Sequence, residues 1–201
     1  MRNVFFNIRE PSPGNKNTHY FCLLLCIVLG VLMGIVAKYF DNTPIIGEVG
    51  TNFGIWIFFA ALISCYSFGP LLAGVNVFFF LLSMLFAYYA YTYFFDHFLP
   101  IAYIRLWLCL NVIGFFSAII TWYGKGTGWL PAFISSVPIL FLITEGMPFF
   151  YTGRLALLFD FVFIIVAYIC FARSWTQKMK IFCCNLIEVF ILILFNIINI
   201  F

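Results

Sequence analysis

Seven apolar runs of about bilayer-spanning length follow one another along this chain: residues 20–37, 53–68, 70–95, 101–123, 128–143, 155–172 and 181–201. An α-helix rises 1.5 Å per residue, so about 20 apolar residues cross a hydrocarbon core about 30 Å thick. Hydrophobic residues make up 65% of the sequence and charged residues 8%, against about 25% charged in a soluble domain. So few charges cannot cover a water-exposed surface. The expected fold is all-α: a polytopic membrane bundle of seven transmembrane helices, with lipid as its main solvent. No basic stripe suited to nucleic acid is present. Residues 1–19 read as a flexible cytoplasmic arm, broken by Pro11, Ser12, Pro13, Gly14 and Asn15. Residues 20–201 read as one transmembrane domain. No small-residue cleavage site precedes Lys38, so the first run reads as a retained span.

Charge placement sets both the span count and the orientation. Cytoplasmic connections are enriched in Lys and Arg. With seven spans and the N-terminus in the cytoplasm, the inner segments hold Arg2, Arg9, Lys16, Lys125, Arg173, Lys178 and Lys180. The outer segments hold Lys38 and Arg154, and Arg105 lies within a span. Fusing the second and third runs sends Lys125, Arg173, Lys178 and Lys180 outside, and the bias disappears. The C-terminus is therefore expected outside. The absence of an Asn-x-Ser/Thr sequon fits a bacterial inner membrane. Trp122, Trp129 and Trp175 read as anchors at the inner boundary.

Ionisable groups at membrane depth are costly and face a bundle interior or a water-filled cavity. Arg105 and Asp160 fall at similar depth from the outer side, and either pair as a strut, pair as part of a binding site, or stay apart with Arg105 snorkelling to the interface. Glu145 closes the fifth run beside Gly146 and Pro148. Tyr89 and Trp107 belong to an aromatic cluster at the same side, where rings form a belt or stack around a flat or cationic molecule. Glu188 shares a helix face with Asn185 and Asn196 in the last run. The short second and fifth runs, with Gly54, Pro131 and Pro138, resemble the matched broken helices that mark transporter sites.

Catalytic signatures are weak. The sequence has no H-E-x-x-H and no G-x-S-x-G. Its two histidines, His19 and His97, fall on opposite sides in this topology, which excludes a bis-histidine haem site. All seven cysteines lie in apolar runs without C-x-x-C spacing and read as packing residues. No catalytic residue, metal ligand or cofactor is assigned, and an intramembrane enzyme using acidic residues ranks third among the functions considered.

Gly30, Gly34 and Ala37 form a small-x-x-x-small ladder in the first run, which suits close helix packing within the molecule or on a membrane partner. With the Ser67-Phe68-Gly69-Pro70-Leu71-Leu72-Ala73-Gly74 step, this resembles the S-components of energy-coupling-factor transporters. Those small bundles bind a vitamin or metal from outside and dock on a shared partner through their first helix. They have six helices, one fewer than counted here. The resemblance implies a docking face at Gly30, Gly34 and Ala37. The leading expectation is an uptake component with an outward-facing pocket lined by Arg105, Asp160, Glu145, Tyr89 and Trp107, for a small molecule the sequence does not name. A non-catalytic accessory subunit of a larger membrane complex comes second.

The topology is testable with C-terminal reporter fusions. Alkaline phosphatase fused after Phe201 is expected to be active and a fluorescent protein dark. The opposite pattern removes the odd span count.

Overall fold

The computed structural model describes residues 9–12, 14–172 and 174–195. These residues form nine α-helices and one 3-10 turn, with no strand among them. In chain order the helices are α1 (Lys16–Tyr39), α2 (Ile46–Thr51), α3 (Phe53–Tyr66), α4 (Pro70–Asp96), α5 (Ile101–Tyr123), α6 (Trp129–Gly146), α7 (Phe149–Thr152), α8 (Leu158–Phe171) and α9 (Trp175–Leu194), with the turn at Leu155–Leu157. Four segments are long and apolar enough to cross a membrane: α1, α4, α5 and Trp129–Thr152, which joins α6 to α7. The apolar helices α3 and α8 have 14 residues each. At 1.5 Å per residue each reaches about 21 Å, less than the hydrocarbon thickness. Helix α9 has 20 residues but carries Lys178, Lys180 and Glu188. Four helices fit a membrane location. Of the residues used in the charge argument and the last helix face, Arg2, Arg173 and Asn196 lie outside the described residues, as does the C-terminus.

The chain gathers into two compact units. One comprises Glu10–Asn52 and Phe59–Trp122. Its main contact is α1 against α4. Gly30 and Gly34 are the buried positions of α1. A Cβ at Gly30 would run into Phe80 O and Ser83 Oγ, and one at Gly34 into Met84 O. The two glycines therefore let the helix backbones touch, as small-residue ladders do. Ser83 exploits that closeness: its Oγ lies 3.1 Å from Ile27 O and 3.0 Å from Phe80 O, sharing one hydrogen between them. Ala37 lies against Gly50 in α2, 3.5 Å from where a Cβ would stand.

At the C-terminal end of α1, Lys38 Nζ contacts Asp41 Oδ2 at 3.2 Å and Asp96 Oδ2 at 2.9 Å. Tyr88 donates its hydroxyl to the same Asp41 oxygen at 3.1 Å. This ties the last turn of α1 to the last turn of α4. The chain leaves α4 through His97 at φ 52°, a left-handed residue that stops the helix.

The break between α3 and α4 is a polar knot. Pro70 opens α4 at a position where a missing N–H costs nothing. Ser67 Oγ donates to Ile63 O at 2.7 Å and accepts from Asn76 Nδ2 at 3.1 Å. Ser64 Oγ donates to Ala118 O. Trp122, expected at an interface, is fully buried instead, and its Nε1–H donates to Ser67 O at 2.8 Å. The expected arm also joins this end: α1 already begins at Lys16, and Ser12 N donates to Phe68 O at 2.9 Å.

The other unit contains Phe53–Phe58 and the chain from Tyr123 onward. Here α6 packs on α8 and on α9. Phe58 stacks on Phe163 of α8 with ring centroids 4.7 Å apart. Gly128 precedes α6 at φ 124°, a conformation open to glycine alone. Gln177 of α9 grips that residue at both ends, accepting from Gly128 N at 3.1 Å and donating to Gly128 O at 3.0 Å. The turn before α6 is thus clamped. Trp129 and Trp175 do lie at the surface, with Lys180 and Lys178 over their rings.

Gly30→Leu is expected to lower stability by more than the ~1–3 kcal/mol typical of overpacking, because the obstacle is the α4 backbone. Thermal unfolding in detergent, followed by tryptophan fluorescence, measures it. A variant as stable as the parent refutes the close α1–α4 approach.

Candidate functional site

Asp160 lies in the first turn of α8. Carboxylates favour that position because the first helical N–H groups have no partner inside the helix. Its exposure is only 2%. Two glycines make room for it. A Cβ on Gly54, at the start of α3, would run into Asp160 Oδ1. A Cβ on Gly146, at the end of α6, would stand 3.3 Å from Asp160 Cβ. Asp160 Oδ2 has no hydrogen-bond partner among the described residues. Burying such a group without a partner costs about 1–3 kcal/mol. Glu145, half-buried near the end of α6, is close enough to act on Asp160 electrostatically. Two carboxyl groups in one neighbourhood repel when both are ionised. Together they offer several oxygens to a cationic or hydrogen-bond-donating group.

The other expected site residues belong to the other unit. Tyr89 is buried in α4, its ring edge-on to Tyr88 at 5.2 Å. Arg105 is exposed on α5, and Trp107, two positions on, is half-buried. Asp160 and Glu145 are therefore brought together within one unit, whereas Arg105, Tyr89 and Trp107 share the second. Gly30 and Gly34, expected as a docking face, face α4.

A second polar group went unnoticed in the sequence. Asn111 is buried in α5, and neither atom of its amide has a partner among the described residues. An uncharged residue in a long apolar run gives no signal beyond its polarity. Among the described residues no group of three or more His, Cys, Asp and Glu is arranged to hold a metal ion.

No family model, curated protein or solved structure matches this chain.

The Gly54–Asp160 contact can be measured by a double-mutant cycle. Gly54→Ala is expected to cost about 1–3 kcal/mol in the parent, as overpacking does. It should cost less in an Asp160→Ala background, where the obstructing oxygen is gone. Coupling between touching residues runs at about 0.5–3 kcal/mol. Strict additivity of the two denaturation free energies rules the contact out.

Proposed function

We propose that the protein is a small-molecule uptake component of the membrane, with Asp160 and Glu145 supplying polar contacts to the substrate. In this reading the chain crosses the bilayer seven times, with its N-terminus in the cytoplasm and its C-terminus outside. The observation that carries it is the Asp160 carboxyl group: buried, backed by two glycines, and with one oxygen unpartnered among the described residues. Buried polar groups are nearly always hydrogen-bonded. One that is not asks for a partner that the described residues do not provide. A substrate carrying an amine or a donor-rich head would supply it. Intramembrane carboxyl groups are rare and concentrate on such pathways.

Further support comes from the short helices. Asp160 and Gly54 both lie in the first turns of 14-residue helices. Interrupted helices whose ends converge on a polar group are a recurrent feature of transporter binding sites. Arg105, Tyr89 and Trp107 are retained as candidate substrate contacts of the other unit. Docking on a partner through Gly30 and Gly34 is not favoured, because α4 occupies that face.

The test is small-molecule mass spectrometry on protein purified from cells in mild detergent. The parent is expected to carry a small molecule that Asp160→Asn and Glu145→Gln lose while remaining folded. If either folded variant retains every small molecule found with the parent, the reading fails.

A further inference from the structure

Glu188, Ser136, Asn185 and Tyr168 form one hydrogen-bonded cluster joining α6, α8 and α9. It lies apart from the proposed uptake contacts and does not depend on them. Its hydrogens can be counted. Asn185 Nδ2 carries two hydrogens and meets two acceptors, Ser136 O at 3.0 Å and Glu188 Oε2 at 3.1 Å. Asn185 Oδ1 lies 2.6 Å from Tyr168 OH, which supplies the hydrogen there. These three contacts balance.

Ser136 does not. Its Oγ lies 2.7 Å from Phe133 O and 2.6 Å from Glu188 Oε1. A serine hydroxyl has one hydrogen, whereas a backbone carbonyl and a carboxylate have none. At about 3 Å, as at Ser83, a single hydrogen can be shared between two acceptors. At 2.6 and 2.7 Å each O···O contact needs a hydrogen of its own, or lone pairs face each other. One hydrogen is missing. A proton on Glu188 Oε1 supplies it: Glu188 donates to Ser136 Oγ, and Ser136 donates to Phe133 O.

We propose that Glu188 is a proton-binding site. Its ligand is a single proton, taken from water as hydronium and returned to water. Binding forms the Oε1–H bond and neutralises the carboxylate; release leaves the carboxylate and an unfilled contact at Ser136. The chemistry around it suits this role. The titratable groups facing Glu188 are Tyr168 from α8 and Cys184 on its own helix. Helix α6 presents Ser136. No lysine or arginine pairs with it among the described residues, so neutralisation falls to the proton. Glu188 is only half-buried, which leaves an approach for it. Occupancy also has a mechanical consequence, because the extra hydrogen bond joins α6 to α9.

Infrared spectroscopy of the purified full chain in lipid tests the proposal. At neutral pH we expect a carbonyl band of a protonated carboxylic acid that shifts on isotopic labelling of glutamate. Glu188→Gln should remove it, and high pH should convert it to carboxylate absorption. Ser136→Ala should move the same band to higher frequency, since the acid loses its acceptor. Tyr168→Phe should leave the band in place, because the Tyr168 hydroxyl donates to Asn185 and not to Glu188. Absence of a glutamate-sensitive band across the pH range overturns the proposal. So does a band that Glu188→Gln leaves intact, or one that Ser136→Ala does not shift.

Discussion

Scarcity of charge governs this structure. Long apolar helices satisfy their backbone groups internally, and segments this apolar have few side chains with which to bind one another specifically. What remains is the second lone pair of a backbone carbonyl, which a neighbour's hydroxyl, amide or indole can use. Ser83 to Ile27 O, Ser64 to Ala118 O, Gln177 to Gly128 O and Asn185 to Ser136 O are of this kind, and Trp122 uses the Ser67 carbonyl at the break between α3 and α4. Each requires two helices to come close enough for a short side chain to reach a backbone. At α1 and α4 that closeness comes from Gly30 and Gly34. Glycine ladder and polar contact are two halves of one device.

The carboxyl groups follow two different arrangements. Asp41 and Asp96 share Lys38, which satisfies them as an ion pair near helix ends. Partly exposed pairs of this sort contribute about 0–1 kcal/mol, so their role is to fix where α1 ends against α4. Asp160 and Glu188 lack such a cation among the described residues. Glu188 is surrounded by donors that nearly balance. Asp160 has steric room and a vacant oxygen. A buried carboxyl group kept without a cation has a destabilising cost, and at Asp160 the glycines at 54 and 146 leave it room.

Helix positions were legible in the sequence because they depend on the length of apolar runs and on a few punctuating residues. The 101–123 run coincides with α5, and Gly69–Pro70 marks the start of α4. Helix α2 was not legible: residues 46–51 are too short and too mixed to show a run. Asp160 stood out in the sequence by its charge within an apolar run, and its neighbour Glu145 by its place beside Gly146; the structure buries the first near the second. The role of Gly54 in making room for Asp160 was not legible, since it depends on which helix α3 meets. Trp122 misled for a related reason. Tryptophan near a span end usually anchors at the interface, but this one has a carbonyl at Ser67 to reach inside. The Glu188 cluster was half visible: the shared face with Asn185 follows from helix spacing, whereas Ser136 and Tyr168 come from other helices.

The two short apolar helices explain why Asp160 sits where it does. A 14-residue helix falls about 9 Å short of a hydrocarbon core about 30 Å thick. In the proposed seven-span reading the rest of each crossing falls to the segments flanking these helices, among them Asn52 between α2 and α3 and the 3-10 turn before α8. Backbone that is not α-helical is tolerated at depth only where it is buried in protein or lines a polar space. Helix starts also expose unpaired N–H groups, which together act as a partial positive charge. A carboxyl group beside two such starts is favourably placed, and Asp160 occupies that position with Gly54 against it.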